Sequence, residues 1–229
     1  MIAVVDYHKG NLKSVERGLV AVGADARITD DPKVVADADA VVLPGVGAFT
    51  DAAKSLRNFG LVGPLLDGIA AGKPFLGICL GQHLLYEAGE EHAEGEPTPG
   101  LGIIGGIVRE MPRQDFRGNA FKVPHVGWNE VSFLSKRPNP LLKGIKDREF
   151  FYFTHSFIAP PAPETIATTT HSVTFPSAVQ FSETGFAVQF HPESVMTQDG
   201  YRVFANWLAE CGQQSAVERS IGLQPKIVR

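Results

Sequence analysis

The sequence predicts an α/β fold: a doubly wound, largely parallel central sheet, with antiparallel strands and hairpins added in the C-terminal half. Two observations carry this. In the first half, short apolar runs alternate with helix-period segments, the pattern of βαβ units. Beyond Gly102 the segments are short and rich in β-branched or aromatic residues, separated by glycine and proline, as in hairpins. A chain of 229 residues with 44% hydrophobic content suffices for one such core.

Ile2 to Val5 reads as a strand ending at Asp6. Asn11 is a plausible N-cap for a helix with Leu12, Val15, Leu19 and Val22 on one face, closed by Gly23. A strand over Ala26–Ile28 leads to an Asp-Asp-Pro turn, and Ala40–Leu43 is the next buried strand. Leu56, Leu61, Leu65, Leu66 and Ile69 suggest helical packing. Phe75–Ile78 is a buried strand, followed at Cys79 by a turn and a helix over Leu80–Glu87. From Glu87 to Glu96 the chain is acidic, and from Pro97 it is Pro/Gly-rich, which predicts a surface loop. Strands follow over 106–110, 129–133, 149–153, 165–169 and 178–182. Glu183-Thr-Gly185 turns into Phe186–Phe190, and a last helix covers about 200–211. No composition shift marks a linker. Residues 1–211 are therefore expected to form one domain, with a polar tail over 212–229.

Composition narrows the function. A net charge of -4 gives no reason to expect nucleic acid or an anionic membrane as partner. Two cysteines suit a reducing compartment, no apolar run approaches a membrane span, and the N-terminus is too short and unflanked for a signal peptide, so a cytoplasmic protein is expected. The seven histidines are scattered, without metal-ligand spacing, and there is no phosphate-binding or dinucleotide fingerprint. No metal or cofactor is expected.

The chemistry centres on Cys79. It ends an apolar strand between Gly77 and Gly81, small neighbours that permit a strained turn presenting the sulfur above the sheet edge. A helix N-terminus behind it favours the thiolate. A buried structural cysteine is the competing reading, and Cys211, with no glycine bracket, is read that way. His191, at another strand end and held extended by Pro192, is the candidate base. Glu193 lies close enough to fix its tautomer, completing a nucleophile, base and orienter. In the loop Pro44-Gly-Val-Gly47, two glycines after a buried strand let backbone N–H groups face a cavity, as an oxyanion hole requires. Taken alone, the loop reads first as a tight strand-to-helix turn.

Gly77-Ile-Cys-Leu-Gly81 with His191-Pro-Glu193 resembles the class I (triad) glutamine amidotransferases. Four stretches are similar, within that family, to the glutaminase subunits of imidazole glycerol phosphate synthases. They are Val5-Asp-Tyr7 with Gly10-Asn-Leu12 and Ser14-Val15; Leu43-Pro-Gly-Val-Gly-Ala-Phe49; Pro124-His-Val-Gly-Trp-Asn129; and Phe151-Tyr-Phe-Thr-His-Ser-Phe157. The resemblance runs to about Leu208. It implies that Cys79 attacks the side-chain amide of glutamine, that a γ-glutamyl thioester forms, and that water activated by His191 releases glutamate. The oxyanion would be held by N–H groups of Val46, Gly47 and Leu80. Gly45, His83, Glu91, His155, Ser156 and Phe157 match positions at the bound glutamine. Asn11, His125, Trp128 and Asn129 match positions at a (β/α)8 cyclase partner, which would receive the ammonia in histidine biosynthesis as half of a heterodimer.

The chain departs from the family pattern at four places. His83 stands where a glutamine is usual, with Gln82 one residue early. Ser194 replaces a common lysine, Phe157 a usual tyrosine, and His8-Lys9 smaller residues. These leave open a paralogous subunit feeding another ammonia acceptor, or a non-catalytic glutaminase-like binding module.

Overall fold

The first half runs β1 (Ile2–Val5), α1 (Leu12–Ala21), β2 (Ala26–Thr29), α2 (Pro32–Asp37), β3 (Ala40–Leu43), α3 (Phe49–Asn58), α4 (Val62–Ala70), β4 (Phe75–Ile78) and α5 (Leu80–His83). The second is mostly strand: β5 (Tyr86–Gly89), β6 (Thr98–Pro99), β7 (Ile104–Glu110), β8 (His125–Phe133), β9 (Glu149–His155), β10 (Phe157–Ile158), β11 (Thr165–Thr170), β12 (Thr174–Gln180) and β13 (Gly185–Val188), closed by α6 (Gly200–Glu210). The computed structural model describes residues 1–8, 10–134, 139–194, 197 and 199–212. From residue 213 on, the expected polar tail lies outside the described residues, as does Lys9 of the His8-Lys9 turn.

β1, β3, β4 and β13 are buried at every residue. Strands of this kind need cover on both faces. Alternation along β1 shows how they get it. Ile2 and Val4 join Val15 and Leu19 of α1 and Val203, Phe204 and Trp207 of α6, whereas Ala3 and Val5 join Val35 of α2, Leu56 of α3 and Leu65 of α4. The sheet therefore carries helices on both sides, as expected. Its order is β2-β1-β3-β4-β13-β12-β11-β8-β9. Pairing is parallel from β2 through β13 and antiparallel from β13 through β9.

Several local expectations need correction. The segment after Cys79 is one helical turn, not a helix to Glu87. Leu84, Leu85 and Tyr86 are all completely buried, and from Tyr86 the chain pairs as β5 with the distant strand β7, which ends the helix. The stretch expected as a surface loop contributes β5 and β6 to a second sheet, of order β10-β7-β5-β6. The Asp-Asp-Pro turn starts a helix: Asp31 accepts from the Lys33 N–H at 2.8 Å, and Pro32 occupies the first turn of α2. Asn11 precedes α1 as expected, but only its backbone carbonyl caps, accepting from Ser14 and Val15.

Candidate active site

β1, β3, β4 and β13 are parallel, so their carboxyl ends share one edge, where ligands of such sheets bind. Tyr7, the Gly45–Gly47 loop, Cys79 and His191 all follow these ends. Cys79 has φ 53° and ψ -107°, a strained conformation for a residue with a Cβ. Its N–H donates to the Val188 carbonyl at 2.7 Å, and its carbonyl accepts from Gln82 and His83, so the turn is fastened to both β13 and α5. A Cβ on Gly81 would lie 1.8 Å from the Leu43 carbonyl oxygen, and one on Gly77 2.9 Å from the Ala187 Cβ. The bracketing glycines are thus required by close approach to β3 and β13. Because α5 has four residues, few aligned peptides back the sulfur, and the helix dipole is a smaller aid than the sequence suggests.

His191 is buried, its N–H donating to the Tyr152 carbonyl at 2.9 Å. Its Nδ1 lies 2.8 Å from Glu193 Oε1. A carboxylate only accepts, so Nδ1 carries the proton and Nε2 is left for chemistry. Burial alone would depress the His191 pKa. The charge of Cys79 and its interaction with the sulfur, then Glu193, outweigh it and hold the imidazolium well above the ordinary range. Nε2 nevertheless makes no well-formed hydrogen bond and is buried, as suits a group that acquires its partner during a reaction.

Of the expected oxyanion donors, Val46 and Gly47 lie on an exposed loop, with Gly47 at φ +102°. The Leu80 N–H is directed at the Gly45 carbonyl, 3.4 Å away. In this conformation the loop presents an acceptor to one of the donors it was expected to join. Tyr7 anchors the loop from below. Its buried hydroxyl donates to the Pro44 carbonyl at 2.8 Å and would sit 2.0 Å from a Cβ on Gly45. Burial first, then the charges of Cys79 and Asp6, keep this phenol protonated. Tyr7→Phe strands the Pro44 carbonyl and should lower stability by about 1–2 kcal/mol in a urea titration.

His83 is buried, its Nε2 2.5 Å from Gln189 Oε1, and Gln189 Nε2 lies 3.6 Å from Cys79 Sγ. Gln82 turns away and donates to the Pro176 carbonyl at 3.2 Å, so it does not stand in for a glutamine at position 83. Burial lowers the His83 pKa to about 4 against the hydrogen bond to Gln189, and burial likewise holds His155 well below its ordinary range. His155 feels His83 and His191 and so belongs to the same cluster. Its Nδ1 donates to the Phe157 carbonyl at 2.9 Å, and the Ser156 carbonyl is held by the Met111 N–H. Glu91 Oε2 accepts from the Phe49 N–H at 3.0 Å, at the start of α3 just after the Gly47 loop.

The residues expected at a partner surface divide by strand alternation. Val126 and Trp128 point outward from β8, with Trp128 48% exposed. His125 and Asn129 lie on the opposite face. His125 is buried and stacked on Phe153 and His171, its Nδ1 3.1 Å from His155 Nε2 and its Nε2 3.2 Å from the Asn129 amide nitrogen. Of the residues matched to a partner surface, His125 thus has its side chain turned inward, away from the outer face that carries Trp128. Asn129 also donates to the Thr170 carbonyl at 3.0 Å. Asn11 is exposed ahead of α1.

Two residues escaped sequence reasoning. Gln189 carries one signal, a polar side chain in an apolar run. Tyr152 carries none, yet its ring neighbours both Trp128 and His191, with centroid separations of 5.2 and 6.4 Å. Among the described residues no group of His, Cys, Asp and Glu is placed to hold a metal ion, and no helix is long and apolar enough to cross a membrane.

Residues 3–211 match the family model described as glutamine amidotransferase class-I. A protein of Syntrophotalea carbinolica named imidazole glycerol phosphate synthase subunit HisH is 43% identical over 210 residues, 90% of this chain and 98% of its own. One of the same name from Geobacter metallireducens is 44% identical over 195 residues, 84% of this chain and 90% of its own. Among solved structures, one described as a glutamine amidotransferase has a similar fold, with a TM-score of 0.68 at 18% identity, covering 93% of this chain and 100% of that one.

Proposed function

The chain belongs to the class-I glutamine amidotransferase family, and on that premise we propose that it is the glutaminase subunit of an imidazole glycerol phosphate synthase in histidine biosynthesis. It hydrolyses glutamine to glutamate and ammonia and passes the ammonia to a cyclase. The observation that carries this reading is the buried line from Cys79 to His191 and Glu193 at the carboxyl edge of the parallel strands.

Cys79 and His191 act as a thiolate–imidazolium pair. The thiolate attacks the side-chain carbonyl carbon of glutamine. His191 Nε2–H protonates the departing nitrogen, the C–N bond breaks, and ammonia leaves a γ-glutamyl thioester. His191, now neutral at Nε2, takes a proton from water. The hydroxide attacks the thioester and releases glutamate and the thiolate. Glu193 keeps Nδ1 protonated throughout. Oxyanion charge falls to N–H groups of Val46, Gly47 and Leu80. Because the Gly45 carbonyl occupies the Leu80 N–H, the loop has to turn before that donor is free, and partner docking is a natural trigger. The Glu91 carboxylate suits the substrate ammonium, with Gly45, His155, Ser156 and Phe157 completing the pocket.

The partner is a (β/α)8 cyclase with lyase chemistry, docked as a heterodimer in the cytoplasm. Trp128 and Asn11 are its contacts. Tyr152 neighbours both Trp128 and the catalytic histidine, so the surface around Trp128 lies close to the site that releases ammonia. We read residues 1–211 as one domain, since each apolar core draws on both halves of the chain. The test is glutamate release with and without the cyclase. Release should be weak alone and should rise at least tenfold with cyclase and its sugar-phosphate substrate present. Equal, vigorous release in both conditions would exclude the gated subunit, and failure to restore histidine prototrophy in a strain lacking this subunit would point to another ammonia acceptor.

A further inference from the structure

His83 and Gln189 are completely or almost completely buried beside Cys79 and have no part in the steps above. A primary amide has one accepting and one donating end. Here Gln189 Oε1 faces His83 Nε2 at 2.5 Å, and its Nε2 faces Cys79 Sγ at 3.6 Å. The two contacts are not independent. When the neutral His83 ring carries its proton on Nε2, it donates to Oε1, and the amide NH2 must then point at the sulfur. A hydrogen bond donated to sulfur favours the thiolate. With the His83 proton on the other ring nitrogen, the amide would turn to donate to Nε2 instead. Its oxygen would then face the sulfur, where it accepts from a thiol and repels a thiolate. His83 thus decides which end of Gln189 the nucleophile meets.

We propose that Gln189 is a positioning residue that donates its side-chain N–H to the Cys79 thiolate, and that His83 sets the direction of its amide. The inference rests on Cys79 being the nucleophile. It gives position 83 a role behind the sulfur instead of in front of it: His83 acts on the nucleophile through Gln189 and does not hold substrate. Gln82 plays no part, being turned to Pro176. The other ionisable groups bearing on the sulfur are His191, after β13, and Tyr7, after β1, with Asp6 acting on Tyr7; His155 lies near His83. Neither Gln189 contact involves these groups.

The experiment is alkylation of Cys79 by iodoacetamide as a function of pH, read by mass spectrometry on the intact full-length chain. In Gln189→Met, which keeps length and removes the amide, the midpoint of the rate profile should rise by about one pH unit, the size of losing one hydrogen bond to a charged acceptor. His83→Phe should raise it similarly. His83→Gln, whose amide can again donate to Oε1, should bring it back toward the original value. A merely structural role would change the amount of folded protein but not the midpoint. If Gln189→Met fails to fold, Gln189→Glu retains the shape and replaces the donor with an oxygen, and its midpoint should rise further. An unchanged midpoint in a folded Gln189 variant overturns the proposal. A shift in Gln189→Met without one in His83→Phe overturns the role of His83. If Cys79 in the unaltered protein reacts no faster than Cys211, it is the nucleophile assignment that fails.

Discussion

Cys79→Ala loses glutamine hydrolysis by about 10⁴-fold or more in kcat, measured with the cyclase present, because no other group at the strand edge can form the acyl intermediate. Cys211 offers no substitute. Burial, and then the Glu210 charge, push its thiol up to about 12, so almost none is thiolate near neutrality. Labelling of the native protein with a glutamine-like electrophile should therefore vanish in Cys79→Ala and persist in Cys211→Ala. The same position makes a second, less usual prediction. At φ 53° and ψ -107° the backbone of residue 79 resists any Cβ. Cys79→Gly relieves that strain and Cys79→Ala does not, so the glycine variant should melt above the alanine variant by a few degrees, about 1–2 kcal/mol. Two equally inactive variants would then differ in stability in the direction opposite to that expected at an ordinary helix start. Retention of more than about 1% of activity in Cys79→Ala would remove the sulfur from the chemistry.

That strain explains why so much of the site is legible in the sequence. A nucleophile turn needs an apolar strand, small residues on both sides and a helix start, and all of these lie within Phe75–His83. The proposed base and its orienter are two residues apart, so His191 and Glu193 are also local. The entirely apolar strands β1, β3 and β4 announce a sheet covered on both faces for the same reason: each reports its own burial. The contacts between distant segments carry no such record. Gln189 meets Cys79 across 110 positions and His83 across 106, because β13 inserts parallel to β4 although it follows a run of antiparallel strands. Nothing within Phe186–Phe190 specifies that neighbour. His125 illustrates the other limit. Its stretch resembles partner-facing positions and lies ahead of the strand expected over 129–133, but β8 extends through it, and the period of two sends His125 inward and Trp128 outward. The helix after Cys79 fails on length for a related reason, since Tyr86 finds a strand partner in β7 that local periodicity does not reveal.

Gly81→Ala should be the most destabilising small substitution in the active-site turn, although it adds one methyl group and improves intrinsic helix propensity. Its Cβ would fall 1.8 Å from the Leu43 carbonyl oxygen. That oxygen belongs to backbone in the middle of the sheet, with Leu43 registered against Gly77 of β4, and cannot swing aside as a side-chain tip could. α5 would have to lift from β3. Overpacking of this kind costs roughly 3 kcal/mol or more, a fall of about 6–12 °C in melting temperature for a chain of this size. Gly63→Ala is the control. It also lies in a helix, α4, but a Cβ there meets nothing within 4 Å, so stability should hold or rise by about 0.5–1 kcal/mol. Gly77→Ala should fall between them, since its 2.9 Å contacts include the Ala187 Cβ on β13. The consequence reaches the chemistry because Cys79 is the residue from which α5 hangs. Its carbonyl accepts from Gln82 and His83, and its N–H is tied to Val188. Lifting α5 would draw the sulfur away from His191 and Gln189 together. Whatever Gly81→Ala protein folds should therefore show slower Cys79 alkylation as well as a lower melting temperature, whereas Gly63→Ala should leave both the alkylation rate and glutamine hydrolysis unchanged. A Gly81→Ala variant that melts normally would mean that the turn reaches β3 less closely than the 1.8 Å contact requires.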